Sequence, residues 1–196
     1  MIFVKVKTLY IIVSPNGAWK TTASYTILPE IFNVQEFVNA DEIAKGLSPF
    51  NPDSAGLKAG RIMLNRINEL LDKKQSFAFE TTLWTKSYTG FVKKAQSQGY
   101  EVVLLFLALD SFELAQKRVE VRVQEGGHSI PKDVIKRRYT KGLSNLFNLY
   151  IPIVDKWILL NNSEASFHVI AEGTHKDLIV KNKETWNLLK SKYNGN

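Results

Sequence analysis

Residues 11–22 read IIVSPNGAWKTT. Short β-branched residues run into the turn-forming Pro15-Asn16-Gly17, and Lys20 follows with Thr21 and Thr22 behind it. A strand, a phosphate-gripping loop and a helix start succeed one another in that order. In such a loop the backbone N–H groups converge on an anion, the lysine reaches the terminal phosphates, and the hydroxyl after it holds magnesium. By this spacing Pro15, Asn16, Gly17, Ala18, Trp19, Lys20, Thr21 and Thr22 are expected to bind ATP, with Lys20 also serving the reaction and Thr21 holding Mg2+. The plainer alternative is a strand, a turn and a lysine on a surface helix. Two positions depart from the pattern G-x-x-x-x-G-K-[ST]: Ser14 stands at the first glycine and Trp19 at the second. Serine is a mild change. An indole beside the lysine brings a β-carbon close to where the β-phosphate would lie, at a place where the backbone itself approaches the ligand.

Outward from this loop, apolar runs of strand length recur at TLYIIV (8–13), EFVNA (36–40), SFAFET (76–81), EVVLLFLAL (101–109) and KWILLNN (156–162), with a weaker one at FHVIAE (167–172). Helical patterns separate them, the alternation of a parallel sheet covered by helices on both faces. The fourth run is apolar throughout and predicts a strand buried on both sides. Between the second and third runs a surface helix is expected, with Ser54 as its N-cap and Leu57, Ile62, Leu64, Ile67 and Leu71 as its buried stripe. Asp110 and Glu113 have the offset of a capping box opening a helix to about Glu125, where Gly126-Gly127 stop it. Pro131 starts another, with Ile135, Tyr139, Leu143, Leu146 and Tyr150 on its apolar face. The tail from Lys176 is read as a docked terminal helix.

The 196 residues suit one domain, 1–196. No apolar run approaches the ~20 residues of a membrane span. The start, MIFVKVKTLYIIV, has its apolar run broken by Lys5 and Lys7 and reads as a first strand rather than a signal peptide. With no cysteine there is no disulfide framework, which fits the cytoplasm, and three scattered histidines argue against zinc. The net charge of +7 is spread along the chain, so nucleotides and phosphorylated substrates account for it as well as nucleic acid does, and nucleic acid is not the expected partner.

Three further constellations could carry chemistry. FVNADEIAKG delivers Asn39 and Asp41 at a strand's carboxyl end, the edge where open α/β sheets bind ligands. Asp41 could accept a substrate hydroxyl's proton or could cap the helix that DEIA begins. Glu80, Thr81 and Thr82 end the third strand with an acid and two hydroxyls, suited to a polar substrate or equally to a solvated loop start. Arg118 and Arg122 are four apart on one helix face, and Arg137, Arg138, Lys141 and Asn145 lie on the next helix. Like charges so placed repel unless an anion sits between them. These helices look like a lid over about 111–142 that closes arginines on phosphates, against the alternative of a solvated basic face.

Taken in order, SPNGAWKTT, FVNADEIAKGLSPFNP, SFAFETTL and RVEVRVQEGGHSIPKDVIKRRYTKGL resemble the zeta-toxin-like P-loop kinases, in the bacterial branch of predicted ATPases. The resemblance covers about residues 8 to 175. It implies an α/β fold, a doubly wound parallel sheet of about five or six strands with helices on both faces and a helical lid, with the phosphate-loop strand central. It also implies ATP- and magnesium-dependent phosphorylation of a hydroxyl on a small metabolite, in zeta toxins the 3′-hydroxyl of a UDP-N-acetyl amino sugar, and an antitoxin protein as partner. Carried over, Lys20 is the phosphate-binding lysine, Thr21 the magnesium hydroxyl and Asp41 the base. Glu80 and Thr82 fall at the substrate, and Arg122 with Arg137 or Arg138 serve as lid arginines; from the residues' own placement Asn39 is expected at the substrate and Arg118 on the phosphates. Zeta toxins often place an arginine two residues beyond the Thr of the Glu-x-Thr motif, and here that residue is Trp84, with Lys86 nearby. The alternatives are a decayed relative acting as a binding protein, a polynucleotide kinase, for which no aromatic and basic stacking platform is evident, and a transporter-type ATPase, whose loop PNGAGKTT is close but whose LSGGQ-like signature is missing.

Overall fold

In the computed structural model of the chain, residues 6–16, 29–30, 32–124, 129–164 and 166–195 are described. Gly17, Ala18, Trp19, Lys20, Thr21 and Thr22, and the Gly126-Gly127 helix stop, lie outside them.

Among the described residues seven strands form one sheet in the order β2-β3-β1-β4-β5-β6-β7. They are β1 (Lys7–Val13), β2 (Phe37–Val38), β3 (Phe77–Thr81), β4 (Tyr100–Ala108), β5 (Lys156–Asn161), β6 (His168–Thr174) and β7 (Leu178–Val180). The first five are mutually parallel; β6 pairs antiparallel with β5, and β7 pairs antiparallel with β6. The switch follows from loop length, because so few residues join β5 to β6 that only a hairpin-like return is open to the chain. The α/β sheet is thus mixed but mainly parallel, with helices on both sides. It holds one strand more than the sequence leads one to expect, since Leu178–Val180 is short and mostly exposed and carries little periodicity.

β4 behaves as its composition demands. Val102, Leu104, Phe106 and Ala108 join the larger core with Leu9, Ile11 and Val13 of β1, while Val103, Leu105 and Leu107 join a second core with Ile12 and Val34. The described α-helices are α1 (Ala40–Leu47), α2 (Gly56–Asp72), α3 (Thr89–Ser97), α4 (Phe112–Gln124), α5 (Lys132–Asn145) and α6 (Lys183–Tyr193). The expected apolar face of α5 holds in full: Ile135, Tyr139 and Leu143 are buried, and Leu146 and Tyr150 continue it through a π-helical turn, Leu146–Tyr150. The expected face of α2 needs correction. Ile67 and Leu71 are buried, but with Ala59, Met63 and Leu70, while Leu57 is 87% exposed and Ile62 and Leu64 also face solvent. The packed stripe steps by four through a small alanine and a flexible methionine, while the larger Leu57 and Leu64 lie off it.

Two expected caps also differ. Ser54 lies in a 3-10 turn, Pro52–Ala55, and its hydroxyl donates to the Asn51 carbonyl, leaving α2 without a side-chain cap. Ser111 takes the capping role expected of Asp110, its Oγ accepting the Leu114 N–H at 3.1 Å. Asp110 instead accepts a hydrogen bond from Asn161 Nδ2 at 2.8 Å, tying the ends of β4 and β5 together.

Candidate functional site

Because β1 to β5 are parallel, their carboxyl ends share one edge, and each delivers polar residues there: Ser14-Pro15-Asn16 after β1, Asn39 after β2, Glu80 in β3, Asp110 after β4 and Asn162-Ser163 after β5. Ser14, Pro15 and Asn16 are buried. Ser14 N–H donates to the Thr81 carbonyl at 3.4 Å, and its hydroxyl donates to Pro15 O at 3.1 Å. The described non-glycine residues with left-handed backbone are Asn33, Lys74 and Leu83, so Ser14 occupies the first glycine position of the motif with no positive φ.

At the end of β2 the sequence left open whether Asp41 is a base or a cap, and the cap is Asn39. Its Oδ1 accepts the N–H groups of Asp41 at 2.8 Å and Glu42 at 3.3 Å, and its Nδ2 donates to Glu80 Oε2 at 2.9 Å. Asn39 and Glu80 are 5% and 8% exposed and lock the ends of β2 and β3 together. Asn39 is therefore committed to structure, and by starting α1 it presents Asp41 on an exposed first turn, carboxylate free of capping duty.

The arginines separate. Arg118 Nη1 and Nη2 donate to the carbonyls of Asn162 and Ser163 at 2.8 and 2.7 Å, clasping α4 to the loop after β5. Arg122 sits part-buried in the last turn of α4. Arg138 reaches the phosphate-loop end of β1, with Nη1 3.5 Å from Asn16 Oδ1, and its Nε is buried with no hydrogen-bond partner among the described residues. Burial pulls its guanidinium below the usual arginine range; the Asp41 carboxylate works against the shift and the charge of Arg137 works with it. Arg137, next along, places its guanidinium carbon 5.6 Å from the centre of the Trp84 ring.

The expected lid helices are docked onto the core. Ala115 and Val119 of α4 are buried, and the Tyr139 hydroxyl of α5 donates to Leu109 O at 2.8 Å. At Gly142 a β-carbon would stand 2.8 Å from Thr82 O, so α5 approaches the segment after β3 more closely than any other residue type would allow. Among the described residues no cluster of three His, Asp or Glu side chains could hold a metal ion, and the expected magnesium ligand Thr21 lies outside them.

The sequence did not reveal two features of this site: the Asn16–Arg138 contact, 122 residues apart, and the pairing of Arg137 with Trp84. A glycine inside the α5 pattern and a tryptophan in a polar loop were the available signals.

The Zeta toxin family model matches residues 5–173. This chain belongs to the Zeta toxin family. A relative from Haemophilus influenzae, itself an uncharacterized protein, is 32% identical over 127 residues, 63% of this chain and 86% of that one. Among solved structures, the AvrRxo1-ORF1:-ORF2 complex with ATP superposes with a TM-score of 0.72 at 15% identity, over 95% of this chain and 64% of that one. The PezAT toxin–antitoxin system of Streptococcus pneumoniae gives a TM-score of 0.71 at 15% identity, over 98% of this chain and 80% of that one. This family member therefore has the P-loop kinase fold, and it spans 64% of the length of the AvrRxo1-ORF1:-ORF2 chain it matches. No helix among its described residues is long and apolar enough to cross a membrane.

Proposed function

We propose that the chain is an ATP- and magnesium-dependent phosphotransferase acting on a hydroxyl of a small metabolite, a UDP-amino sugar being the leading acceptor. The observation that carries the reading is the position of Arg138: a half-buried guanidinium beside Asn16, within the field of the Asp41 carboxylate, whose buried Nε has no partner among the described residues. A buried donor left open costs stability unless something accepts from it. A phosphoryl group at the end of β1 would, so the residues present fit a triphosphate. Lys20 and the backbone of residues 15–22 would hold its β- and γ-phosphates, and Thr21 would hold Mg2+, which when bound offsets phosphate charge. Asp41 would accept the acceptor hydroxyl's proton, and Arg138 would stabilise charge on the moving phosphoryl group. Glu80, held by Asn39, and Thr82 would face the acceptor, with Arg122 closing from α4. Arg118 acts as the clasp that seats α4 beside this space.

Membership of the Zeta toxin family and the likeness to the PezAT structure support an antitoxin protein as partner, and a cytoplasmic setting accords with the absence of cysteine. The second reading, a decayed relative, rests on Trp19 alone, since Ser14 sits in its position without strain.

Calorimetric titration of ATP–Mg2+, followed by a transfer assay with UDP-N-acetylglucosamine, tests the proposal. Asp41→Asn should leave ATP binding intact and lower transfer far more than tenfold, the ~1.4 kcal/mol that a mere change of helix-start charge could explain. Failure of both the parent and Trp19→Gly to bind ATP would favour the decayed relative.

A further inference from the structure

Among the described residues β7 ends the sheet and pairs only with β6. The open N–H and C=O groups of such an edge recruit another strand unless a charge within the strand, a proline or a covering element blunts it. Leu178–Val180 contains no charge and no proline, and Leu178 and Ile179 are 52% and 48% exposed. Helix α6, which follows at once, turns back over the sheet. Its Trp186 stacks on Trp157 of β5 with ring centres 5.5 Å apart, and Asn148 Nδ2 holds the Tyr193 carbonyl at 2.7 Å. No described element therefore covers the outer edge of β7.

The pairing inside the chain fixes which backbone groups face outward. Thr174 N–H donates to Asp177 O and Lys181 N–H to Ile170 O, both at 2.9 Å, and Glu172 stands opposite Ile179 between them. Hydrogen-bonded pairs alternate along an antiparallel ladder, so Ile179 spends its N–H and C=O on β6 while Leu178 and Val180 point theirs away. For two identical antiparallel β7 strands related by a twofold, this parity allows the axis to pass through Leu178, Ile179 or Val180. Charge selects Ile179. There Asp177 of each copy stands opposite Lys181 of the other, once on each side of the axis, whereas an axis at Leu178 or Val180 sets one of those charges opposite Ile179. Asp177 and Lys181 are both exposed, and neither makes an ion pair among the described residues. We infer that β7 is a self-pairing edge through which two copies of this chain form a twofold dimer, its sheet continuous across the axis. Leu178 and Val180 of each copy exchange N–H···O bonds with Val180 and Leu178 of the other. The Asp177–Lys181 pairs fall at the positions without backbone bonds, where facing Cα atoms lie about 4.5 Å apart and side chains meet most closely. So short a strand makes a small interface, with a Kd on the order of 10–100 µM.

Sedimentation velocity on the full chain, from about 5 to 500 µM, should show a monomer–dimer equilibrium. Asp177→Lys alone and Lys181→Asp alone each set like charges face to face on both sides of the axis, and each should raise the dimer Kd about tenfold or more. Mixed in equal amounts, the two variants are complementary at both contacts and should associate with a Kd within about threefold of the parent's. Amide hydrogen exchange on the parent is a second readout that needs no variant. Raising the concentration across the dimer Kd should slow the Leu178 and Val180 amides about tenfold and leave that of Ile179, already bonded to β6, unchanged. A parent that stays monomeric at about 500 µM overturns the proposal and leaves the edge to a strand of another protein. A dimer that neither single variant weakens, variants that do not associate when mixed, or Leu178 and Val180 amides indifferent to concentration would overturn it as well.

Discussion

Helices α4 and α5 each bring to the sheet edge an arginine that the sequence expects on phosphates, and the fold treats them oppositely. Arg118 on α4 is engaged, both ends of its fork donating to the carbonyls of Asn162 and Ser163. Arg138 on α5 is half-buried with a long contact to Asn16 and an Nε that nothing described accepts from. A charge whose hydrogen bonds are filled by backbone holds the fold together; a charge desolvated and left open is poised for a ligand. The spacing of basic residues on a helix does not distinguish these two states, and the difference between them locates the chemistry.

The comparison breaks most directly at Arg138. Arg138→Ala should lower phosphoryl transfer by about a hundredfold to a thousandfold, ~3–4 kcal/mol of barrier, and change unfolding free energy little, because a half-buried, under-bonded charge contributes little to stability. A rate within tenfold of the parent in a steady-state assay would place Arg138 outside the reaction. Arg118→Ala should do the reverse, costing about 2 kcal/mol in urea unfolding through two lost charge-assisted hydrogen bonds while leaving ATP affinity near the parent value.

Smaller effects sharpen the role of α5. Gly142→Ala should destabilise by about 1–2 kcal/mol, since its β-carbon would meet Thr82 O at 2.8 Å and the gain in helix propensity offsets part of the clash. Thermal unfolding equal to that of the parent would show that α5 can shift off the segment after β3. The smallest effect at neutral pH is expected from Tyr150→Phe, about 1 kcal/mol for the bond to Thr85 O. Burial pushes the Tyr150 hydroxyl up to about 12 and raises Tyr139 as well. A folded pKa above the unfolded one means that the stability is whole below about pH 10 and is lost as the pH climbs through about 12, the unfolded chain ionising first. Tyr150→Phe should therefore flatten the alkaline limb of stability against pH, measured by urea unfolding from pH 8 upward.

What the sequence determined by itself is the part governed by local repetition. Period-two and unbroken apolar runs located β1 to β6 and the double burial of β4, and steps of three and four placed the face of α5 from Ile135 to Tyr150; the central place of the phosphate-loop strand came from the family resemblance. Neighbours along the chain set those patterns, so they are legible in it. Tertiary structure alone decided that Asn39 is tied to Glu80, that Arg118 is closed and Arg138 open, and that Trp84 stands under Arg137. Each of these depends on a partner 41 to 122 residues away or on a backbone twist such as that at Leu83. A residue's type states which bonds it can make; only the approach of another segment in space determines which of them are already made.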